Sequence, residues 1–269
     1  MQVAKAQWPG SERSQDRVFV TDQTTIVLDG ASAFVPVDVP TEAYVDTLGQ
    51  YLVRTLAEWP QRDTADVVAE SISATAHTLR LVPGASPSST VSIVRRRENT
   101  VDLFALGDSA IYYGRDDVTS RLCDNRIAEL GIAEHREYRE RLAQGHGYDD
   151  QHRELLKRLQ LSQRRQRNQP GGYWIAEADP EAARNALVRT LDARSISWAL
   201  LATDGAYGPI THLGLDDWPN IAGLDSKGLA TLLQRCASWE TEDDSHGKEN
   251  PRAKVADDKA LAAVILTDL

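Results

Sequence analysis

Cysteine and long hydrophobic runs are scarce in this sequence of 269 residues. Its only cysteines, Cys123 and Cys236, cannot build a disulfide framework, and this usage suits a reducing compartment such as the cytoplasm. No stretch approaches the ~18–20 apolar residues that a membrane-spanning helix needs. The first residues also lack the apolar segment of a secretory signal. These absences predict a cytoplasmic protein without a membrane partner.

Positive charge is also in short supply. Lys and Arg number 30 against 40 Asp and Glu, which gives a formal net charge of −10. A surface of that sign repels the phosphates of nucleic acids, so we expect no nucleic-acid partner. With 41% hydrophobic and 26% charged residues, the composition is typical of a globular protein of one large domain or two small ones.

Several common catalytic motifs are missing. The sequence has no P-loop, no Gly-x-Gly-x-x-Gly, no His-Glu-x-x-His and no Gly-x-Ser-x-Gly. Its cysteines form no Cys-x-x-Cys pair, which argues against a structural zinc site. Walker-type nucleotide hydrolysis, zinc proteolysis and hydrolysis by a nucleophile elbow therefore lose their usual sequence support.

Hydrophobic periodicity predicts alternating strands and helices. Apolar residues four positions apart predict one helix after Pro40 and another after Asp63, with Asp63 as its N-cap. The pattern predicts strands at 17–20, 25–28, 90–94, 101–106, 110–113, 198–202 and 260–266, further helices at 180–192 and 229–236, and a surface loop at 240–250. This order suggests a layered α+β domain, although helices between strands would also allow a parallel α/β fold.

Aspartates recur where the predicted strands end. They stand in Leu28-Asp29-Gly30, Gly107-Asp108-Ser109, Thr203-Asp204-Gly205 and Asp257-Asp258, and Asp16 precedes a further strand. Hard cations such as Mg²⁺ and Mn²⁺ prefer oxygen ligands, and strand ends on a rigid sheet can bring several carboxylates together. Each dipeptide alone is also a common turn signal, so the order of the whole set matters.

That order resembles the metal-dependent type 2C serine/threonine protein phosphatases. The motifs are Gln15-Asp16-Arg17, Leu28-Asp29-Gly30, Gly107-Asp108-Ser109, Ala202-Thr203-Asp204-Gly205 and Asp257-Asp258, and the resemblance runs from about residue 13 to 266. It implies an α+β fold, a four-layer α-β-β-α sandwich in which helices flank two antiparallel sheets. It also implies one phosphatase-like catalytic domain over residues 1–269.

The same resemblance implies a metal site. Asp29 would bridge two Mg²⁺ or Mn²⁺ ions, the carbonyl of Gly30 would join one of them, and Asp204 and Asp258 would hold the other. Asp108, together with Asp204, would bind a possible third ion. The implied reaction is hydrolysis of phosphoserine or phosphothreonine by a water that the two ions activate.

The resemblance further implies catalytic and phosphate-binding residues. Asp16 would orient water from beside the ions, so Asp16, Asp29 and Asp204 are the implied catalytic set. The arginine that grips phosphate in the family has serine at its usual position here, which leaves Arg13 and Arg17 as the candidates.

Two further positions depart from the family pattern. Ala31 follows Asp29-Gly30, so no histidine stands there to serve as a general acid. Lys259 replaces an asparagine after the final aspartates, and we expect it to place a cation near the metal ions.

Residues 124–168 are polar and predicted to be helical, and they occupy the place of the variable flap beside the family's active site. Between Arg153 and Arg167 this insert holds six basic residues and one acid. The basic stretch is interpreted either as a solvated helix face or as a patch that attracts an acidic, phosphorylated partner.

The leading hypothesis is a phosphoprotein phosphatase that acts on a phosphorylated protein and opposes a Ser/Thr kinase in signalling. One alternative is a binding or regulatory module that keeps the fold and has lost turnover. Another is a phosphatase for small phosphorylated metabolites. The sequence does not indicate an oligomeric state.

Overall fold

A computed structural model of the chain describes residues 1–10 and 14–266. Within these residues, ten strands form two five-stranded sheets. The first sheet contains, in spatial order, β1 (Gln2–Trp8), β10 (Lys259–Ile265), β9 (Trp198–Ala202), β6 (Ala110–Arg115) and β7 (Val118–Leu122). The second contains β2 (Arg17–Val20), β3 (Thr24–Leu28), β4 (Val91–Arg96), β5 (Thr100–Leu106) and β8 (Leu187–Asp192).

The α-helices fall into three groups. The second sheet carries α1 (Thr41–Glu58) and α2 (Thr64–Leu79), the first carries α6 (Asp204–His212), α7 (Trp218–Ala222) and α8 (Ser226–Ser238), and the insert contains α3 (Arg126–Glu129), α4 (Ala133–Ala143) and α5 (Asp150–Gln166). A 3₁₀ turn spans Pro180–Asn185, and a π-helical turn spans Trp239–Asp243. In the part of the chain that the structure describes, no helix has the length and apolar character to cross a bilayer.

Alternating side chains along the central strands build the layers of the core. In β3, Leu28 packs toward α1 and α2, whereas Val27 joins the apolar layer between the sheets. In β10, Leu261 packs toward the helices of the first sheet and Ala262 toward the second sheet. These strands have both faces covered, which explains their continuous apolar sequences.

The predicted four-layer α-β-β-α sandwich is confirmed. Every strand pair within the described residues is antiparallel, so the parallel α/β alternative is wrong. The predicted helix starts are also confirmed, because α1 begins directly after Pro40 and Asp63 caps α2. The Asp63 carboxylate accepts a 2.8 Å hydrogen bond from the N–H of Ala65, and such a cap contributes about 1 kcal/mol to helix stability.

Two local predictions are wrong, and two strands, β1 and β7, were missed. Residues 180–192 form the 3₁₀ turn followed by β8, because pairing with β5 overrides a helix-favouring composition. The stretch 240–250 is not simply a surface loop, since Glu240 and Asp244 are buried. The N-terminal β1, which pairs with β10 along its whole length, carries polar residues that hid it from a hydrophobicity pattern.

Candidate active site

Four aspartate side chains line one cavity at the shared edge of the two sheets. The cavity has a volume of about 270 Å³, and its acidic lining residues are Asp29, Asp108, Asp204 and Asp257. Antiparallel pairing places the ends of β3, β5 and β9 beside the starts of β4, β6 and β10. Residues that follow one strand therefore meet residues that precede its neighbours.

Hydroxyl groups tie Asp29 to the turn that carries Asp108. The N–H of Asp29 donates to Thr90 Oγ1 at 3.2 Å, and Thr90 Oγ1 lies 2.7 Å from Ser109 Oγ. The turn requires Gly107, whose φ of +86° lies in the left-handed region and whose added Cβ would lie 2.8 Å from a Thr90 side-chain carbon. The hydrogen bonds through Thr90 and Ser109 thus position Asp29 and Asp108 relative to each other.

A close backbone approach positions Asp204 at the first turn of α6. A Cβ added at Gly205 would lie only 2.0 Å from the carbonyl oxygen of Asp258. Glycine therefore allows the start of α6 to contact the segment that precedes β10, and this contact brings Asp204 close to Asp257.

The aspartates at this edge raise one another's pKa values. Removal from bulk water is the largest cause of the raised pKa of Asp29, and the charges of Asp16 and Asp204 add to it. The pKa of Asp108 is raised to about 7 by the same removal from water, with the Asp204 charge as the next cause. Removal from bulk water and then the charge of Asp257 also raise the pKa of Asp204, although Asp204 is the most exposed of these residues.

This donor set fits a hard divalent cation such as Mg²⁺ or Mn²⁺. The donors are carboxylates, Gly30 lines the same cavity, and a bound cation would remove the mutual repulsion of the carboxylates. Among residues 1–10 and 14–266, no three His, Cys, Asp or Glu side chains form a ready-made metal-holding group. The Asp204 side chain is, however, within hydrogen-bonding reach of Asp29, and Mg²⁺ commonly uses one or two carboxylates together with water.

Asp16 supports the cavity from behind. It is only 1% exposed, and its Oδ2 accepts a 2.9 Å hydrogen bond from Thr203 Oγ1, which itself accepts one from the N–H of Ala260. Burial raises the pKa of Asp16 well above its ordinary value, and the charges of Asp257 and Asp258 add to this. Asp16 therefore lies beside the cavity aspartates and connects the end of β9 to the start of β10; its role in orienting water stays a prediction.

Among the described residues, the structure brings Asp257 rather than Asp258 to the cavity wall. The Asp258 carboxylate accepts a 2.6 Å hydrogen bond from the N–H of Gln15, and the N–H of Asp258 donates to Asp257 Oδ1 at 2.8 Å. The Asp257 carboxylate pairs instead with Lys254, which also lines the cavity, whereas Gln15 is not among the described lining residues. The predicted ligand Asp258 is therefore replaced by Asp257 as the candidate.

Two lysines of the described residues, Lys259 and Lys254, lie next to Asp257. Lys259 is fully buried, pairs with Glu240 at 2.5 Å, and donates to the backbone carbonyl of Asp257 at 2.9 Å. Lys254 lines the cavity instead, with its Nζ 2.5 Å from Asp257 Oδ1. The expectation that Lys259 places a cation near the metal ions stays a prediction, since its ammonium group contacts the carbonyl of Asp257 while Glu240 balances its charge.

Of the two predicted phosphate-binding arginines, Arg17 is the one within the described residues, and it does not line the cavity. Arg13 lies outside the described residues. Arg17 pairs with Asp46 on α1 at 2.6 Å and donates to the backbone carbonyl of Asp16 at 2.9 Å. Arg17 is not among the described residues that line the cavity. Its side chain links β2 to α1 and does not match the predicted phosphate contact.

The insert covers the cavity as a roof formed by α3, α4 and α5. Helices α4 and α5 pack together through Tyr138, Leu142, Leu155, Leu156 and Leu159. Gln160 of α5 accepts a 2.6 Å hydrogen bond from the N–H of Val35 and donates a 2.8 Å bond to the carbonyl of Ser32. His152 Nε2 lies 2.9 Å from the carbonyl oxygen of Ala253. These hydrogen bonds attach the roof to the segment that follows Asp29 and to the segment that precedes Asp257.

Sequence reasoning missed several polar residues of the cavity wall, namely Lys254, His135 and Gln160, and it named Arg167 only as part of the basic stretch. Gln160 had a usable signal, because it is a polar residue beside the apolar positions Leu156 and Leu159 of α5. Lys254 had none, since it stands in a polar stretch. The pKa of His135 is lowered by its partial burial and by the charge of Arg139.

The basic stretch of the insert is largely paired with acids. Three exposed pairs lie on α5 or between α4 and α5: Arg153 with Asp150, Lys157 with Glu154 and Arg158 with Glu137. Arg167 is buried against Glu177 at 3.1 Å. These contacts favour the interpretation as a solvated helix face over that of a docking patch for a phosphorylated partner.

Comparisons with known proteins agree with this architecture. The catalytic domain of the serine/threonine phosphatase PstP, in complex with 2 manganese ions, is similar at a TM-score of 0.56 and 14% identity, covering 97% of this chain and 96% of that chain. The PPM Ser-Thr phosphatase MsPP from Mycobacterium smegmatis gives 0.54 at 16% identity, covering 97% of both chains. Stp1 from Staphylococcus aureus gives 0.57 at 13% identity, covering 100% of this chain and 96% of that chain.

Sequence comparison adds family evidence to this likeness of fold. A search of curated proteins gives no match, whereas the family model described as protein phosphatase 2C matches residues 10–249. The matched range includes Asp29, Asp108 and Asp204 of the cavity. The family model covers most of the sequence, and the strand order and the cavity at the sheet edge agree with it: the chain belongs to the protein phosphatase 2C family.

Proposed function

We propose that the protein is a metal-dependent phosphatase that hydrolyses phosphoserine and phosphothreonine in proteins. One observation carries the proposal: Asp29, Asp108, Asp204 and Asp257 line a single cavity, and removal from water together with neighbouring carboxylates raises the pKa values of Asp29, Asp108 and Asp204. The solved structures that share the fold include serine/threonine phosphatases, which supports the choice of substrate.

The proposed metal ligands are Asp29, Asp204, Asp257 and the carbonyl of Gly30, with Asp108 available to a third ion. When bound, two Mg²⁺ or Mn²⁺ ions supply Lewis acidity and neutralise charge that develops on the phosphoryl group. The repulsion among the carboxylates, which is visible in their raised pKa values, favours the uptake of such ions.

The chain's own residues would keep these ligands in place. Asp16, whose carboxylate accepts a hydrogen bond from Thr203, would orient water beside Asp204. The ammonium group of Lys259 donates a hydrogen bond to the backbone carbonyl of Asp257 and so fixes the backbone there. The roof limits the access of bulk water and leaves a confined cavity in which charged groups interact more strongly than in open solvent.

We further propose that residues 1–269 act as one catalytic unit in the cytoplasm, with the roof as its variable part. The proposed partner is a phosphorylated protein, and the proposed setting is signalling in which a Ser/Thr kinase adds the phosphate that this enzyme removes. The family assignment and the scarcity of cysteine in the sequence support this setting.

Phosphate release from a phosphoserine peptide, measured over a range of Mn²⁺ and Mg²⁺ concentrations, tests the proposal. Asp29→Asn and Asp204→Asn should each lower the rate at least about 100-fold, because each removes a charged metal ligand. Asp66→Asn makes the same chemical change on the exposed face of α2 and should leave the rate unchanged. Wild-type protein that binds the peptide in calorimetry and releases no phosphate would contradict turnover and indicate a binding module.

The roof favours a second candidate function, the hydrolysis of small phosphorylated metabolites. The cavity of about 270 Å³ is close to the lower end of small-molecule sites, ~300–1,000 Å³, and its wall includes the apolar side chains of Ile127, Ile132 and Leu159. A ratio of kcat/KM that favours small phosphomonoesters over phosphopeptides by more than tenfold would support this candidate over the first.

A further inference from the structure

Lys254 is the only lysine among the described residues that line the cavity. Its ammonium group lies 2.5 Å from Asp257 Oδ1, and its side chain is 31% exposed. Asp257, Asp258 and Asp29 all attract this positive charge. Lys254 is therefore held within the acidic cluster and remains open to a molecule that enters the cavity.

The ammonium group of Lys254 has donors to spare. A lysine carries three N–H groups, and within the described residues its one hydrogen-bond acceptor is Asp257. Two N–H groups remain for other acceptors. Phosphate oxygens, which are charged and accept several hydrogen bonds, match such a donor.

Among the described residues, two arginines at or near the cavity already have acidic partners. Arg167 pairs with Glu177 at 3.1 Å and donates to Tyr173 Oη at 3.2 Å, with only 7% of its side chain exposed. Arg17 is paired with Asp46. Both arginine side chains are less exposed than that of Lys254, which is 31% exposed, so Lys254 is the more accessible cation.

We propose that Lys254 is a phosphate-binding residue, whose ammonium group donates to a non-bridging oxygen of the phosphoryl group. The inference rests on the proposed phosphatase function and assigns to Lys254 the task expected of Arg13 or Arg17. The four cavity carboxylates and two divalent cations would balance in charge. A phosphate dianion would then meet a neutral cluster, to which Lys254 adds the attracting positive charge.

Calorimetric titration of the Mn²⁺-loaded protein with inorganic phosphate tests this role without requiring turnover. Lys254→Met should raise the Kd for phosphate roughly tenfold or more, because it removes a charge-assisted hydrogen bond. Lys254→Arg keeps the charge and should recover most of the affinity. Lys248→Met removes an exposed lysine elsewhere and should leave the Kd unchanged.

A parallel titration with Mn²⁺ alone separates the proposal from its main rival, in which Lys254 competes with a metal ion for Asp257. The proposal expects the Mn²⁺ affinity of Lys254→Met to stay within about twofold of wild type. Tighter Mn²⁺ binding with an unchanged phosphate Kd would overturn it, as would wild-type protein that binds Mn²⁺ and no phosphate. Phosphate binding that depends on Lys254 in a protein without turnover would uphold the inference and contradict the proposed activity alone.

Discussion

The buried ammonium group of Lys259 donates a 2.9 Å hydrogen bond to the backbone carbonyl of Asp257. Glu240, 2.5 Å from the same ammonium group, balances its charge, and Arg252 lies 3.7 Å from Glu240 on the other side. A buried ion network thus fixes the backbone of Asp257, whose carboxylate faces the cavity.

Loss of this lysine should destabilise the protein. Lys259→Met would leave Glu240 buried with only Arg252 as a partner, and breaking a buried pair costs ~3–5 kcal/mol. Because Arg252 remains, we expect about 3 kcal/mol from urea denaturation. Lys259→Met combined with Glu240→Gln should recover part of the loss because the unpaired charge is gone. A single variant as stable as wild type would show that Arg252 alone satisfies Glu240.

Gly205 should tolerate no side chain. Gly205→Ala would place a Cβ 2.0 Å from the carbonyl oxygen of Asp258, so α6 must shift, at a cost of ~1–3 kcal/mol, and Asp204 must move with it. We expect a lower Tm and weaker Mn²⁺ binding. Gly208→Ala on the same helix meets no atom within 4 Å and should stabilise the protein by up to about 1 kcal/mol. Equal effects of the two substitutions would contradict the close approach.

The metal-free protein should show a pH dependence of stability that Asp108 contributes. Its pKa is about 7 in the folded chain and ~3.9 in an unfolded one. Between these values the folded state retains a proton that the unfolded state has lost, so this group lowers the free energy of unfolding as the pH rises from about 4 to about 7.

Chemical denaturation of chelator-treated protein at several pH values measures this contribution. Asp108→Asn should gain stability relative to wild type as the pH rises through that window, and the two proteins should differ least near pH 4. Mn²⁺ added to wild type at pH 7.5 should raise the Tm, because the ion binds only the folded state. A stability difference that is constant across the window would contradict the raised pKa of Asp108.

The fastening of the roof should control access to the cavity. Gln160→Leu removes the hydrogen bonds to Val35 and Ser32 and should cost ~1–3 kcal/mol. We expect faster proteolysis within residues 31–40 and a higher kcat/KM for phosphopeptides relative to small phosphates. Gln166→Leu, at an exposed position of the same helix, is the matched control. Unchanged proteolysis and substrate ratio would show that the apolar contacts of α4 and α5 hold the roof without Gln160.

Local patterns predicted much of the fold. The helix starts at Pro40 and Asp63 and the strands before Asp29 and Asp204 follow from periodicity, capping and turn residues, which act over a few positions. The 180–192 segment was predicted as a helix because its alanines favour one, whereas the partner that makes it a strand is β5, some eighty residues earlier in the chain.

In the candidate site, too, local sequence patterns predicted some features, and contacts between distant residues decided others. Asp16, Asp29, Asp108 and Asp204 could be predicted because each borders a strand, and the structure places them at or directly behind one cavity. The sequence pattern does not distinguish Asp257 from Asp258, because both are aspartates directly before β10. The contact of Asp258 with the N–H of Gln15 decides which carboxylate faces the cavity, and that contact joins the two ends of the chain.

By itself, the sequence determined which aspartates border the strands around the cavity and which chemistry their oxygen atoms favour, because these are properties of short segments. The tertiary structure decided which charges meet. It buried Lys259 against Glu240, turned Arg17 toward Asp46 and brought Lys254 to the aspartates. These outcomes depend on partners distant in sequence, and electrostatic energies depend on the distance in space and the burial that only folding establishes.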